Sequence, residues 1–341
     1  MPVTHTFEFS VASNGSGKPD SHIELDVLLP TTEAWSRVNA QEAREEIPVV
    51  VWWHGGGTIQ GTRKALPKHL ADASDKYGLI IVSPDYRLCP QTTLIGGVLP
   101  DAHAAVRWTK KQLPSEVSRL APHLPAPVPL PALSGSSAGG YIAYLVGLPL
   151  NIPTLPHTES KALVGIYPIT DLQADFFAKP VKEPFKSIKF DEKARDVYAP
   201  MQDPNGPILT FTEGTPQTNP RFNFYMWAQV TGLWHELLFD PAQRAEGYVQ
   251  KTSIPNVLAS LDASSIQQIP PIFSVHGTKD MAVDVTQSTE LVRVLKENGV
   301  QVEYEERQGV DHLFDQFDPQ EEMRQMWAFI LKQFGVSAPA S

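Results

Sequence analysis

The chain has 341 residues, 42% of them hydrophobic, which is enough for one large core with room for an insertion. Its 28 basic and 38 acidic residues leave a formal charge of −10, which repels phosphate backbones and anionic lipid surfaces and argues against nucleic acid as a partner. A single cysteine, Cys89, excludes an internal disulfide framework, and no apolar run reaches the length of a membrane span.

Residues 1–45 read as an amino-terminal segment with edge strands, in which Ile23 to Leu29 alternates in the manner of an edge strand. The start, Met1 to Glu8, carries neither the basic residues nor the apolar run of a secretory signal, so a cytoplasmic location is expected. Ile47 to Trp53 is continuously apolar and β-branched, as in a strand covered on both faces. Helical spacing over Lys64–Tyr77, an apolar run over Leu79–Ser83 and a helix over Asp101–Gln112 set up a strand–helix alternation. Cys89, beside Pro90, reads as a packed side chain and not as a reactive thiol.

Repeated prolines between 114 and 131 predict a surface excursion before the chain re-enters the core at Ala132-Leu133-Ser134. A helix over Tyr141–Leu148 and a strand over Leu163–Tyr167 follow. The alternation then lapses until Ile272-Phe273-Ser274-Val275, which makes 172–262 an insertion and leaves 46–171 and 263–341 as the core. A helix over Asp284–Asn298, a strand over Val300–Glu305 and a helix over Gln320–Phe334 close the chain. The pattern predicts an α/β fold: a mostly parallel sheet with helices on both faces.

Gly135-Ser136-Ser137-Ala138-Gly139 has the G-x-S-x-G pattern, weak alone, but it sits between an apolar strand and a helix, the context that exposes a serine on a strained turn. Its bland reading is a glycine-rich turn capped by serine. Upstream, His54-Gly55-Gly56-Gly57 follows the central strand and can aim bare amides at an oxyanion. A serine hydroxyl needs an imidazole to take its proton, and His312, in Gly309 to Phe314, lies after the last strand. The imidazole needs a carboxylate, and Asp280 follows the strand ending in His276-Gly277. Asp284, the alternative acid, is also a helix-capping candidate; Asp311 and Asp315 flank His312 too closely to face the same ring nitrogen; His54 and His276 read as structural hydrogen-bonding residues. No ligand-spaced histidine cluster or cysteine pair is present, so neither a metal nor a cofactor is expected.

Taken with Asp85-Tyr86-Arg87-Leu88-Cys89-Pro90, these motifs make the chain resemble the hormone-sensitive-lipase-like branch of the α/β-hydrolase esterases over residues 45–335, apart from the insertion. The resemblance implies an α/β-hydrolase fold with a helical cap at 172–262, Ser137 as nucleophile, His312 as general base, Asp280 as its orienting acid, and the amides of Gly56, Gly57 and Ala138 as the oxyanion hole. Two family carboxylates are neutral here, as Ser136 and Gln91, so the substrate is not carried over. The proline-rich excursion and aromatic insertion are similar to fungal members that serve secondary metabolism.

Aromatic residues crowd the insertion, among them Phe185, Phe190, Phe211, Phe224 and Trp227, and suggest an apolar lid; Trp227, Phe224 and Phe211 are the candidate substrate-binding side chains. The expected reaction is cleavage of an apolar acyl or aryl ester of moderate size through an acyl-enzyme. The same residues also suit an acyltransferase, thioesterase, lactone-forming enzyme or peptidase, and the scaffold alone would suit a non-catalytic small-molecule binder. The oligomeric state is left open.

Overall fold

The computed structural model describes residues 1–13, 20–150, 152, 155, 157–180, 197–214 and 218–337. Ten strands are present among them: β1 (Val3–Ala12), β2 (Ser21–Leu29), β3 (Glu46–Ile47), β4 (Val49–Trp53), β5 (Ile80–Pro84), β6 (Ala126–Pro127), β7 (Ala132–Ser136), β8 (Ala162–Ile166), β9 (Ile272–Gly277) and β10 (Val302–Arg307). Eight of them form one sheet in the order β1-β2-β5-β4-β7-β8-β9-β10. The pairs β1–β2 and β2–β5 are antiparallel, and every pair from β5 to β10 is parallel. The remaining two, β3 and β6, make a two-residue parallel pair.

Strand β4 reads Val-Val-Val-Trp-Trp and is buried throughout because it has a core on each side. Val49, Val51 and Trp53 enter one hydrophobic cluster, and Val50 and Trp52 enter the other, as a period-two strand demands. The helices that form these two layers include α1 (Thr32–Glu42), α2 (Lys68–Tyr77), α3 (Leu99–Lys111), α4 (Leu113–Leu120) and α5 (Ala138–Gly147). No residue of α5 is exposed: Ala, Gly and large apolar side chains surround it, so it lies inside the protein directly behind β7.

Between β8 and β9 come the helices α6 (Asp175–Ala178), α7 (Pro220–Thr231), α8 (Trp234–Leu238), α9 (Pro241–Ala245), α10 (Tyr248–Lys251), α11 (Ile254–Ser260) and α12 (Ala263–Ile266), and no strand among the described residues. Phe185 and Phe190 lie outside the described residues. The chain closes with α13 (Thr286–Glu297), α14 (Phe314–Phe317) and α15 (Arg324–Gln333). Gly299 and Gly335, at φ +71° and +69°, follow the ends of α13 and α15, where a left-handed residue terminates a helix.

One expectation needs correction. Ile23–Leu29 is not at the edge: β1 pairs outside β2 and takes the border, so β2 is largely buried. The proline-rich stretch runs largely at the surface, as expected, and holds α4 and β6. Pro114 stands in the first turn of α4, where the missing amide hydrogen has no partner to lose.

Candidate functional site

Ser137 stands where β7 turns into α5, with φ +57° and ψ −120°, a combination rarely adopted by residues with a side chain. The surroundings hold it there. Its amide donates to Ile166 O at 2.8 Å, and its carbonyl accepts from the amides of Gly140, Tyr141 and Ile169. Close packing explains the glycines: a Cβ on Gly135 would lie 2.1 Å from Gly139 C, and one on Gly139 would lie 2.0 Å from Trp53 O. The preceding residue, Ser136, is fully buried and accepts from Trp52 Nε1 at 3.1 Å, so this position is part of the neutral core.

Beside this turn runs the loop after β4. Gly56 and Gly57 have φ +95° and +65°, and a Cβ on Gly57 would fall 2.3 Å from the Trp234 ring of α8. Among the described residues, none of the amides of Gly56, Gly57 and Ala138 donates a hydrogen bond. Gly56 of this loop lines the same cleft as Ser137. The loop is pinned beyond its tip by Arg63, which bonds Asp85 through its amide at 2.6 Å and through its guanidinium, and Asp26 at 3.0 Å. Burial raises Asp85 to about 6 even with Arg63 alongside. His54 is stacked on Tyr86 with ring centroids 4.3 Å apart, and its Nδ1 bonds Gly55 O at 2.8 Å. Burial lowers His54 to about 4, so it is a neutral structural residue.

On the far side of the cleft, His312 Nδ1 lies 2.6 Å from Asp280 Oδ2. With that hydrogen given to the carboxylate, the lone pair of the imidazole is on Nε2. Asp280 is itself fixed: Oδ1 accepts from the amides of Ala282 and Val283 at 2.9 and 2.8 Å, and His276 Nε2 is 3.2 Å from Oδ2. Burial alone would raise its carboxyl, but the two imidazoles and their hydrogen bonds outweigh burial and hold it well below the ordinary carboxylate range. His276 is oriented in turn by Val283 O at 2.9 Å and Ser288 Oγ at 2.7 Å. The Tyr167 ring packs 4.3 Å from the His312 ring, and its hydroxyl donates to the buried Asp315. The competing acids are occupied elsewhere: Asp284 accepts from Thr286, and Asp311 accepts from the amides of Met281 and His312.

Ser137 and His312 line the same cleft of about 590 Å³, without a hydrogen bond between them. Its walls alternate apolar groups (Phe222, Tyr225, Met226, Leu313, Phe317) with Gln60, Thr62, Thr212, Asn219 and Gln316, and Lys64 pairs with Glu213 at 2.8 Å. The substrate-binding expectation is corrected here: Phe224 and Trp227 stack on each other, buried away from the cleft, and Phe211 is exposed outside it. The missed side chains were readable as a helical face, since Phe222, Tyr225 and Met226 stand at i, i+3 and i+4 of α7, whereas Phe224 and Trp227 occupy the adjoining face. Cys89 is buried, and its thiol is pushed up to about 12 by that burial. No group of three metal-ligating side chains occurs among the described residues, and no helix among them is long and apolar enough to cross a membrane.

A mostly parallel eight-stranded sheet layered by helices, with a serine on the strand-to-helix turn of a central strand, is the architecture of α/β hydrolases. This chain belongs to the alpha/beta hydrolase fold family, whose model matches residues 50–222, just over half of its length. A prolyl oligopeptidase family model matches residues 217–337. Among curated proteins, a non-reducing polyketide synthase of Preussia isomera is 28% identical over 327 residues, covering 87% of this chain and 12% of that protein. The methylphloroacetophenone synthase of Cladonia uncialis is 26% identical over 360 residues, covering 94% of this chain and 14% of that protein. The chain thus spans only a small part of the length of these relatives. Among solved structures, an α/β hydrolase superfamily protein of Enterococcus faecalis superposes with TM-score 0.65 at 17% identity, covering 98% of this chain and 99% of that one. Carboxyl esterase 2 of the mycorrhizal fungus Tuber melanosporum gives TM-score 0.57 at 20% identity, with 98% and 85% covered. These structural likenesses show the fold.

Proposed function

We propose that the chain is a serine hydrolase that cleaves carboxylic esters through an acyl-enzyme on Ser137. The observation that carries this reading is the placement of Ser137, on its strained turn, in one cleft with an imidazole whose Nδ1 is held at 2.6 Å by a buried carboxylate. His312 Nε2 takes the Ser137 proton as Oγ attacks the ester carbonyl, and it returns that proton to the leaving alcohol. The amides of Gly56, Gly57 and Ala138 receive the oxyanion. Water, deprotonated by the same nitrogen, then attacks the acyl carbon, and His312 returns the proton to Ser137 Oγ as the acid is released. The serine and imidazole are not hydrogen-bonded here, and such catalytic bonds often form only when substrate is bound.

The cleft volume suits an acyl or aryl ester of moderate size. Residues 172–262 act as its lid, a role supported by the α7 side chains on the cleft wall. A fluorophosphonate probe should label the protein and fail to label Ser137→Ala; equal labelling of both would refute the assignment. A series of p-nitrophenyl esters from acetyl to dodecanoyl then reads the acyl preference.

A second reading is favoured by the polyketide synthase relatives, which align with most of this chain. Here the acyl group arrives as a thioester and leaves to water, to an alcohol or by cyclisation, with the same residues in the same roles. Probe labelling without turnover of any p-nitrophenyl ester, together with release of an acyl thioester, would select it over simple ester hydrolysis. Product analysis with competing nucleophiles would separate hydrolysis from transfer.

A further inference from the structure

The cleft contains a hydrogen-bond donor that is unpaired among the described residues and whose direction is fixed by a chain of neighbours. Asn219 caps α7, and its Oδ1 accepts from the Arg221 amide at 2.9 Å, so its Nδ2 must face outward as a donor. That Nδ2 reaches Thr212 Oγ1 at 3.2 Å and the Gln60 carboxamide at 3.5 Å. Thr212 is held in place by the Gly61 amide at 2.8 Å and by its own amide to Gly61 O at 2.7 Å. Since Asn219 offers hydrogens, Gln60 must turn its oxygen toward Asn219 and its NH₂ the other way. There the NH₂ lies against the bare-amide loop: Gln60 Nε2 is 3.0 Å from where a Cβ on Gly56 would stand. Among the described residues it has no acceptor.

We propose that Gln60 determines specificity by donating to a hydroxyl or keto oxygen carried by the substrate's acyl group close to the reacting carbonyl. The inference rests on the acyl-enzyme reading above and narrows its substrate class to oxygenated acyl groups. An aligned neutral donor suits a neutral acceptor oxygen, and a plain alkyl chain would strip water from it without replacing the hydrogen bond. Because Gln60 is only half-buried, the discrimination is expected to be about tenfold, the ratio of one well-made hydrogen bond.

The test compares p-nitrophenyl butyrate, 3-hydroxybutyrate and 3-oxobutyrate on the wild type, Gln60→Met and Gln60→Glu, reading the ratios of kcat/KM within each protein so that a general loss of activity cancels. The wild type should favour both oxygenated esters over butyrate by about tenfold. In Gln60→Met both ratios should fall to near one. In Gln60→Glu, which keeps the shape but only accepts, the hydroxy ester should keep an advantage and the keto ester should lose it. Equal kcat/KM on all three esters in the wild type, or ratios that do not move in the variants, would overturn the proposal, as would probe labelling of Ser137 with no turnover of any of the three. Absence of both turnover and Ser137 labelling would instead bring down the acyl-enzyme reading, and this inference with it.

Discussion

Replacing Asp280 by asparagine removes one charge and almost no volume, and the hydrogen bonds around it determine the outcome. The oxygen that accepts from the Ala282 and Val283 amides, at 2.9 and 2.8 Å, must stay an oxygen, because an NH₂ there would face two N–H groups. The NH₂ is therefore forced into the place of Oδ2, 2.6 Å from His312 Nδ1 and 3.2 Å from His276 Nε2. His312 must then accept at Nδ1 and carry its hydrogen on Nε2, which leaves no lone pair for the Ser137 proton. An acid-to-amide exchange of this kind lowers kcat on the order of 10⁴-fold, about 5.5 kcal/mol of barrier. Crowding of the new NH₂ against His276, whose Nε2 hydrogen already goes to Val283 O, should cost about 1–3 kcal/mol of stability as well. Steady-state turnover of a p-nitrophenyl ester, with urea denaturation followed by circular dichroism, measures both effects. A folded Asp280→Asn protein within tenfold of wild-type kcat would refute the reasoning.

Gly57→Ala combines a left-handed φ of +65° with a methyl 2.3 Å from the Trp234 ring; a loss of about 2–4 kcal/mol is expected in urea denaturation, with turnover falling more than the fold does. Tyr167→Phe keeps the ring against His312 but leaves the buried Asp315 with His69 Nε2 at 3.3 Å as its remaining side-chain partner, so the midpoint of denaturation should drop by the equivalent of about 1–3 kcal/mol while kcat changes less than tenfold. His103, buried on α3, is lowered to about 4, first by burial and then by Arg107 and His157. Its folded value lies below its unfolded one near 6.5, so the stability it contributes is fully present above that pH and is lost as pH falls toward 4. The loss is about 3 kcal/mol for a gap of about 2.5 pH units. His103→Gln should therefore flatten the acid limb of the stability profile between pH 6.5 and 4, and an unchanged slope there would count against the assignment.

The sequence is most legible where one element has one job. Val49 to Trp53 has to be central because five consecutive apolar residues need two cores, and it is. The meeting of Asp280 with His312 follows from the imidazole's need for a carboxylate, from the family resemblance and from loop order, since both residues follow parallel strands and share one edge of the sheet. Side-chain direction is harder to read. In an aromatic-rich segment such as α7, a hundred-degree step separates Tyr225 on the cleft wall from Phe224 in the core, and composition does not distinguish them. Gln60 was also missed, because its significance comes from Asn219 and Thr212, more than 150 residues away in the chain. Strand β1, an antiparallel border strand with one solvated face, shows only the alternation Phe7-Glu8-Phe9-Ser10-Val11 and lacks the dense apolar run of its neighbours.

The imidazole loop hangs from β10, which pairs with β9 alone and has no neighbouring strand on its outer side among the described residues. An unpaired edge invites pairing with another chain, and β10 answers with Glu303, Glu305, Glu306 and Arg307 among its six residues. These charges guard the protein against edge-to-edge aggregation, and the same strand sets the position of His312 five residues later. Substituting them with β-branched apolar residues should therefore make the border adhesive to other copies, beside the very loop that carries His312.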